Sequence, residues 1–205
     1  MRNKILIYTA QFLSVIFQPF YMPVVAFVVL LMFSYLNNLP LAYKAVLVFA
    51  IYVFTVLLPR TAIFLYRKSN GWSRFHLSKR INRYVPYALS ILSYGILLYF
   101  MYRIHMPSFA IAVIVAAFVL QIICVLINTR TKISTHAAAA GSLTGAIVGF
   151  ALLFHFNLLP WLCVCVLLCG LVGTARLILR QHSLLDIWLG TLIGFFCGFF
   201  CVLLM

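Results

Sequence analysis

Apolar residues in this chain run in long, almost unbroken stretches, not in the short alternations of a soluble strand or helix. The stretches near 20–36, 42–66, 84–102, 107–127, 137–156, 159–177 and 184–205 approach or exceed the roughly 20 apolar residues needed to cross a hydrocarbon core. Prolines and polar residues punctuate them, as in Asn37-Asn38-Leu39-Pro40, His105-Met106-Pro107 and Asn157-Leu158-Leu159-Pro160. The pattern predicts an all-α, polytopic transmembrane helix bundle of six to seven spans. The first span is short. An apolar segment, 5–17, precedes it and is cut off by Pro19 and Pro23, so it is either an interfacial half-helix or the extension of a broken first span.

Composition agrees with that pattern. Apolar residues make up 66% of the chain and charged residues only 8%, which excludes an ordinary soluble domain. No stretch reads as a linker, and no internal repeat is visible, so residues 1–205 are expected to form one integral membrane domain. Arg2 and Lys4 ahead of an apolar run resemble a signal peptide. No small-x-small cleavage site follows, and the segment is expected to be retained. The six cysteines lie inside apolar stretches without the paired spacing of a zinc site and read as packing residues.

Charge is distributed unevenly. If the spans alternate, one face of the membrane carries only Lys44 and Arg103, and the other carries the remaining thirteen of the 15 Lys and Arg. Positive residues favour the cytoplasmic side, and they equally suit an anionic ligand. The bias survives removal of Lys79, Arg83, Lys132 and Arg176, the residues with a candidate chemical role. A multi-pass protein of the cell (inner) membrane with a cytoplasm-facing site is therefore expected, with the outward orientation left open. The basic residues lie between spans, not on a free basic domain, so nucleic acid is not an expected partner.

Asp186 is the only acidic residue in 205. An acid in or beside a span costs about 2.5–3.5 kcal/mol on insertion scales, so its presence marks a site. It closes the pattern Arg176-x5-His182-x3-Asp186. The i, i+4 spacing of His182 and Asp186 predicts a shared helix face on which the carboxylate orients the imidazole. Two further polar stretches precede spans of the same parity: His76-Leu-Ser-Lys79-Arg80-Ile-Asn-Arg83-Tyr-Val-Pro86, and Lys132-Ile133-Ser134-Thr135-His136. Even numbers of crossings separate the three stretches and put them on one side of the membrane.

With these residues the chain resembles the type-2 phosphatidic acid phosphatase superfamily, whose motifs are K-x6-R-P, P-S-G-H and S-R-x5-H-x3-D. The third motif matches with Ala175 in place of Ser. The second keeps Ser134 and His136, with Ile133 and Thr135 in place of Pro and Gly. The first is degenerate: His76 stands at the Lys position, Pro86 lies three residues beyond Arg83, and Lys79 or Arg80 is left to supply the cation. The motifs run in family order over residues 60–198. The resemblance implies a membrane lipid phosphatase that hydrolyses a phosphomonoester or pyrophosphate headgroup through a phosphohistidine. His182 would be the nucleophile, His136 the acid and base, and Asp186 the orienting carboxylate. Arg176, Arg83, Lys79 and Ser134 would bind the phosphate. It implies no cofactor and no metal, and a lipid phosphate as the partner.

Physical chemistry favours the same residue types. Phosphoryl transfer is mostly positioning and electrostatic stabilisation of spread negative charge. Forked guanidinium donors match phosphate oxygens. A single Asp cannot build the carboxylate cage that holds magnesium or calcium. Two other functions stay open: a lipid phosphotransferase on the same scaffold, and a non-catalytic lipid- or anion-binding membrane protein.

Gly141, Gly145 and Gly149 recur every fourth residue after His136, and Gly190, Gly194 and Gly198 do so after Asp186. Small residues at this spacing let membrane helices approach closely. The two stripes predict that these helices pack together and bring His136 toward His182.

Overall fold

The computed structural model describes residues 2–69 and 84–204. These residues are helical throughout apart from turns, with no strand among them. Their order is α1 (Arg2–Ile16), α2 (Met22–Phe33), α3 (Leu41–Tyr52), α4 (Leu58–Ser69), α5 (Tyr84–Arg103), α6 (Ser108–Arg130), α7 (Thr135–Phe154), α8 (Leu159–Ile178) and α9 (Leu184–Leu203). Among the described residues, seven helical stretches are long and apolar enough to cross a membrane. The chain is an all-α, multi-pass membrane bundle. Large apolar side chains cover its outside, among them Leu167, Leu185, Trp188 and Phe196, as expected of a surface solvated by lipid tails.

The first span is longer than its apolar core suggested. It runs over Lys4–Met32, 29 residues, and is interrupted by a tight turn at Pro19–Tyr21. Pro19 and Pro23 lack the N–H that would continue the helix ladder. Beyond the break, α1 packs chiefly against α8, whereas α2 packs against α6 and α7.

The second span, Leu41–Ser69, contains a single wide turn at Val53–Leu57, where Leu58 N–H reaches back five residues to Val53 O. Pro59, fully buried, follows directly. Such turns accommodate a helix register that a proline would otherwise break. The Phe54 carbonyl accepts the Ser93 hydroxyl of α5 at 2.6 Å, so α5 satisfies a backbone group at the irregular turn.

Helix α7 is the centre of the bundle. Its residues Thr135–Phe154 are mostly buried, and its most extensive partner is α9. The sequence permits this because one face carries only small residues. A Cβ added at Gly194 would collide with the Ala138 carbonyl, and one at Gly198 with the Ser142 carbonyl. From the other side, Gly141 and Gly145 meet the Thr191 and Phe195 carbonyls of α9. At Gly190 the added atom would stand 2.8 Å from Ser134 O. The two glycine stripes are thus one backbone-to-backbone seam, as their spacing predicted.

Candidate active site

The seam runs directly into the motif residues. Ser134 is the N-cap of α7, and its backbone N–H donates to Asp186 O of α9 at 3.3 Å. This bond ties the start of α7 to the start of α9. The Ser134 side chain is fully buried, and its hydroxyl accepts Ala137 N–H at 3.4 Å. That is a helix cap, so Ser134 sits beside the site with its hydroxyl already engaged.

At the head of α9, Ser183 and Asp186 form a reciprocal capping box. Asp186 N–H donates to Ser183 Oγ at 3.2 Å, and Ser183 N–H donates to Asp186 Oδ2 at 3.0 Å. The same Oδ2 lies 3.5 Å from His182 Nδ1. His182 and Asp186 do not share a helix face, as their spacing had suggested. Ser183 is extended (ψ 165°) and α9 begins only at Leu184, so His182 precedes the helix. The cap, not helical stacking, brings the imidazole to the carboxylate. The Ser-x-x-Asp signature of this box was readable at Ser183-Leu-Leu-Asp186 and is a feature the motif reading passed over.

Arg176 occupies the last turn of α8 and is 5% exposed. The chain leaves α8 through a Schellman turn: Gln181 N–H donates to Arg176 O at 3.2 Å and Arg180 N–H to Leu177 O at 2.9 Å, with Arg180 left-handed at φ 49°. This turn folds Gln181 back so that its side-chain carbonyl accepts from Arg176 Nη1. Gln181 is therefore a positioning residue that motif reasoning missed. Arg176 Nε is buried and has no hydrogen-bond partner among the described residues.

His136, Arg176, Gln181 and His182 all line one cavity of about 410 Å³, together with Thr135 at the start of α7. His136 stands close enough to Arg176 and His182 to interact with both electrostatically, and it also faces the Ser14 backbone of α1. The break in the first span supplies the opposite wall through Gln18, Pro19 and Phe20. Neither Ser14 nor this wall was anticipated, because only the proline break brings the segment over the site. The second and third motifs thus converge from three helix ends. The first motif's Lys79, Arg80 and Arg83, with His76, fall outside the described residues.

Comparison of the chain with protein-family models, with curated proteins and with solved structures returned no match.

The capping box gives a direct prediction. Ser183→Ala removes one half of it, which costs on the order of 1 kcal/mol, and frees Asp186 from the geometry that holds it against His182. A lower melting temperature together with a weaker response of any His182-dependent reaction is expected. Thermal unfolding of the purified variant beside the parent checks the first effect, and relative turnover checks the second.

Proposed function

We propose that this chain is a metal-independent membrane phosphatase acting on the phosphate ester of a lipid. The observation that carries the reading is the buried Nε of the Arg176 guanidinium, a donor with no hydrogen-bond partner among the described residues, in the cavity that His136 and His182 also line. A buried unsatisfied donor is costly, and a phosphate oxygen is the acceptor that a guanidinium fits best. The order and spacing of the motif residues, which resemble those of the type-2 phosphatidic acid phosphatases, support the same reading.

The geometry supports the following proposed steps. His182 presents Nδ1 to Asp186, which turns Nε2 away from the carboxylate as the attacking atom. Attack forms a P–N bond and breaks the bond from phosphorus to the ester oxygen. His136 gives the departing alkoxide a proton. His136 then takes a proton from water as the water attacks phosphorus, the P–N bond breaks, and inorganic phosphate leaves. Arg176 holds the equatorial oxygens through both steps, and the first N–H groups of α7, which have no acceptor inside the helix, face the same charge. Arg83 and Lys79 are proposed to add cations. The excess of positive residues on this side of the bundle supports a cytoplasm-facing site in a cell (inner) membrane.

Release of inorganic phosphate from a panel of lipid phosphates by the purified protein tests the reading. Turnover that persists in EDTA and is inhibited by vanadate is expected. Absence of turnover on the whole panel, or its loss on chelation, overturns it.

A further inference from the structure

The cavity that holds the imidazoles does not stop at the helix ends. It continues toward the middle of the bundle between α2, α5, α6 and α7. On α7 its lining repeats every three or four residues from His136 to Ala146, an advance of about 15 Å along the helix. This is a different face from the glycine seam. Small residues make room for the bore, Ala26 from α2, Ala116 and Ala117 from α6, and Ala139, Ser142 and Ala146 from α7, between larger apolar walls such as Val113, Leu120 and Leu143. Polar groups on α5 and α6 are Tyr87, Ser90, Tyr94 and Gln121, and the side chains of Tyr94 and Gln121 interact with each other. The slot is therefore chemically apolar below a cationic mouth.

Its size limits what can enter. A dry cavity of about 150 Å³ accepts one benzene ring, so about 410 Å³ holds on the order of 16 carbon-sized atoms, some of them taken by the phosphate itself. One hydrocarbon chain of roughly a dozen carbons fits on that scale, whereas two acyl chains of eight or more carbons with their glycerol and phosphate exceed it. We propose that the slot houses the single hydrocarbon chain of the substrate, making the preferred substrate a single-chain phosphate monoester and not a diacyl one. This inference rests on the phosphate-binding reading of the same site and narrows it. The chain lies inside the protein, and the bilayer receives only what exceeds the slot.

The test uses the whole protein in lipid nanodiscs with butyl, octyl and dodecyl phosphate and with dioctanoyl phosphatidate. Phosphate release reports the chemistry, and the rise in melting temperature on adding dodecyl phosphate reports the slot. Turnover efficiency on dodecyl phosphate is expected to exceed that on dioctanoyl phosphatidate at least tenfold. Ala146→Leu is expected to lower the ratio of dodecyl to butyl efficiency at least tenfold. Ala117→Leu, at a less buried wall position, repeats the test should Ala146→Leu fail to fold. Equal efficiency on phosphatidate, or an unchanged ratio in both variants, overturns the single-chain slot while leaving the phosphatase reading intact. Should no phosphate be released from any compound, the phosphatase reading fails and the melting-temperature arm still decides the slot. A rise with dodecyl phosphate that is lost in either variant sustains the slot, and no rise overturns it.

Discussion

His182→Ala is expected to abolish phosphate release, with a fall on the order of 10⁴-fold or more, as when a nucleophile is removed from a set of groups that act together. The cavity, Arg176 and the α7 N-terminus all remain, so the variant is expected to keep its affinity for a phosphate-bearing lipid while losing turnover. That split separates a nucleophile from a residue that merely props the site. The parent protein, quenched during turnover of a radiolabelled substrate, is expected to carry label that survives alkali and is released by acid, as a P–N bond requires. The variant is expected to carry none. Turnover in His182→Ala within tenfold of the parent would remove the phosphohistidine from the scheme.

Gly194→Leu is expected to have the largest effect on the fold. Even the first carbon of the new side chain would overlap the Ala138 carbonyl, a backbone atom inside the most extensive helix pair of the bundle. Side-chain repacking cannot relieve a clash with backbone, so α9 must move away from α7. Overpacking in a well-packed core costs about 1–3 kcal/mol and at times more, and here the seam itself has to open. Activity is expected to disappear with it, because His136 lies in the first turn of α7 and His182 immediately precedes α9. Thermal unfolding in detergent measures the first effect and phosphate release the second. A Gly194→Leu protein with the parent's melting temperature would mean that the seam contributes nothing. Gly170, where an added Cβ meets no other segment of the described residues within 4 Å, is the control position for substitution in a membrane helix.

Much of this was readable beforehand, for identifiable reasons. Spans follow from apolar length, because the bilayer is a fixed ruler. The α7–α9 contact follows from glycine spacing, because only hydrogen side chains allow that approach. Convergence of His136, Arg176 and His182 follows from the parity of the spans. What was not readable depends on backbone hydrogen bonding between distant segments. The wide turn at Val53–Leu57 needs Pro59 in sequence and also Ser93 from another helix. The wall from Gln18 to Phe20 needs the direction in which the chain bends at Pro19, which spacing does not encode. Ser134 matched a motif position, yet its hydroxyl serves the helix cap. His182 and Asp186 matched a helical interval, yet the pair forms across a cap in which the first of the two is not helical. In both cases the spacing was right and the local geometry behind it was different.

The double use of Asp186 has a consequence for anyone altering this protein. One carboxylate oxygen both caps a helix and lies against the imidazole proposed as nucleophile, and the chain contains no second acid to take over either task. Folding and the proposed chemistry therefore draw on a single negative charge. Neutralising it by substitution perturbs both at once, so its share in each is separable only by variants at its two neighbours, Ser183 and His182.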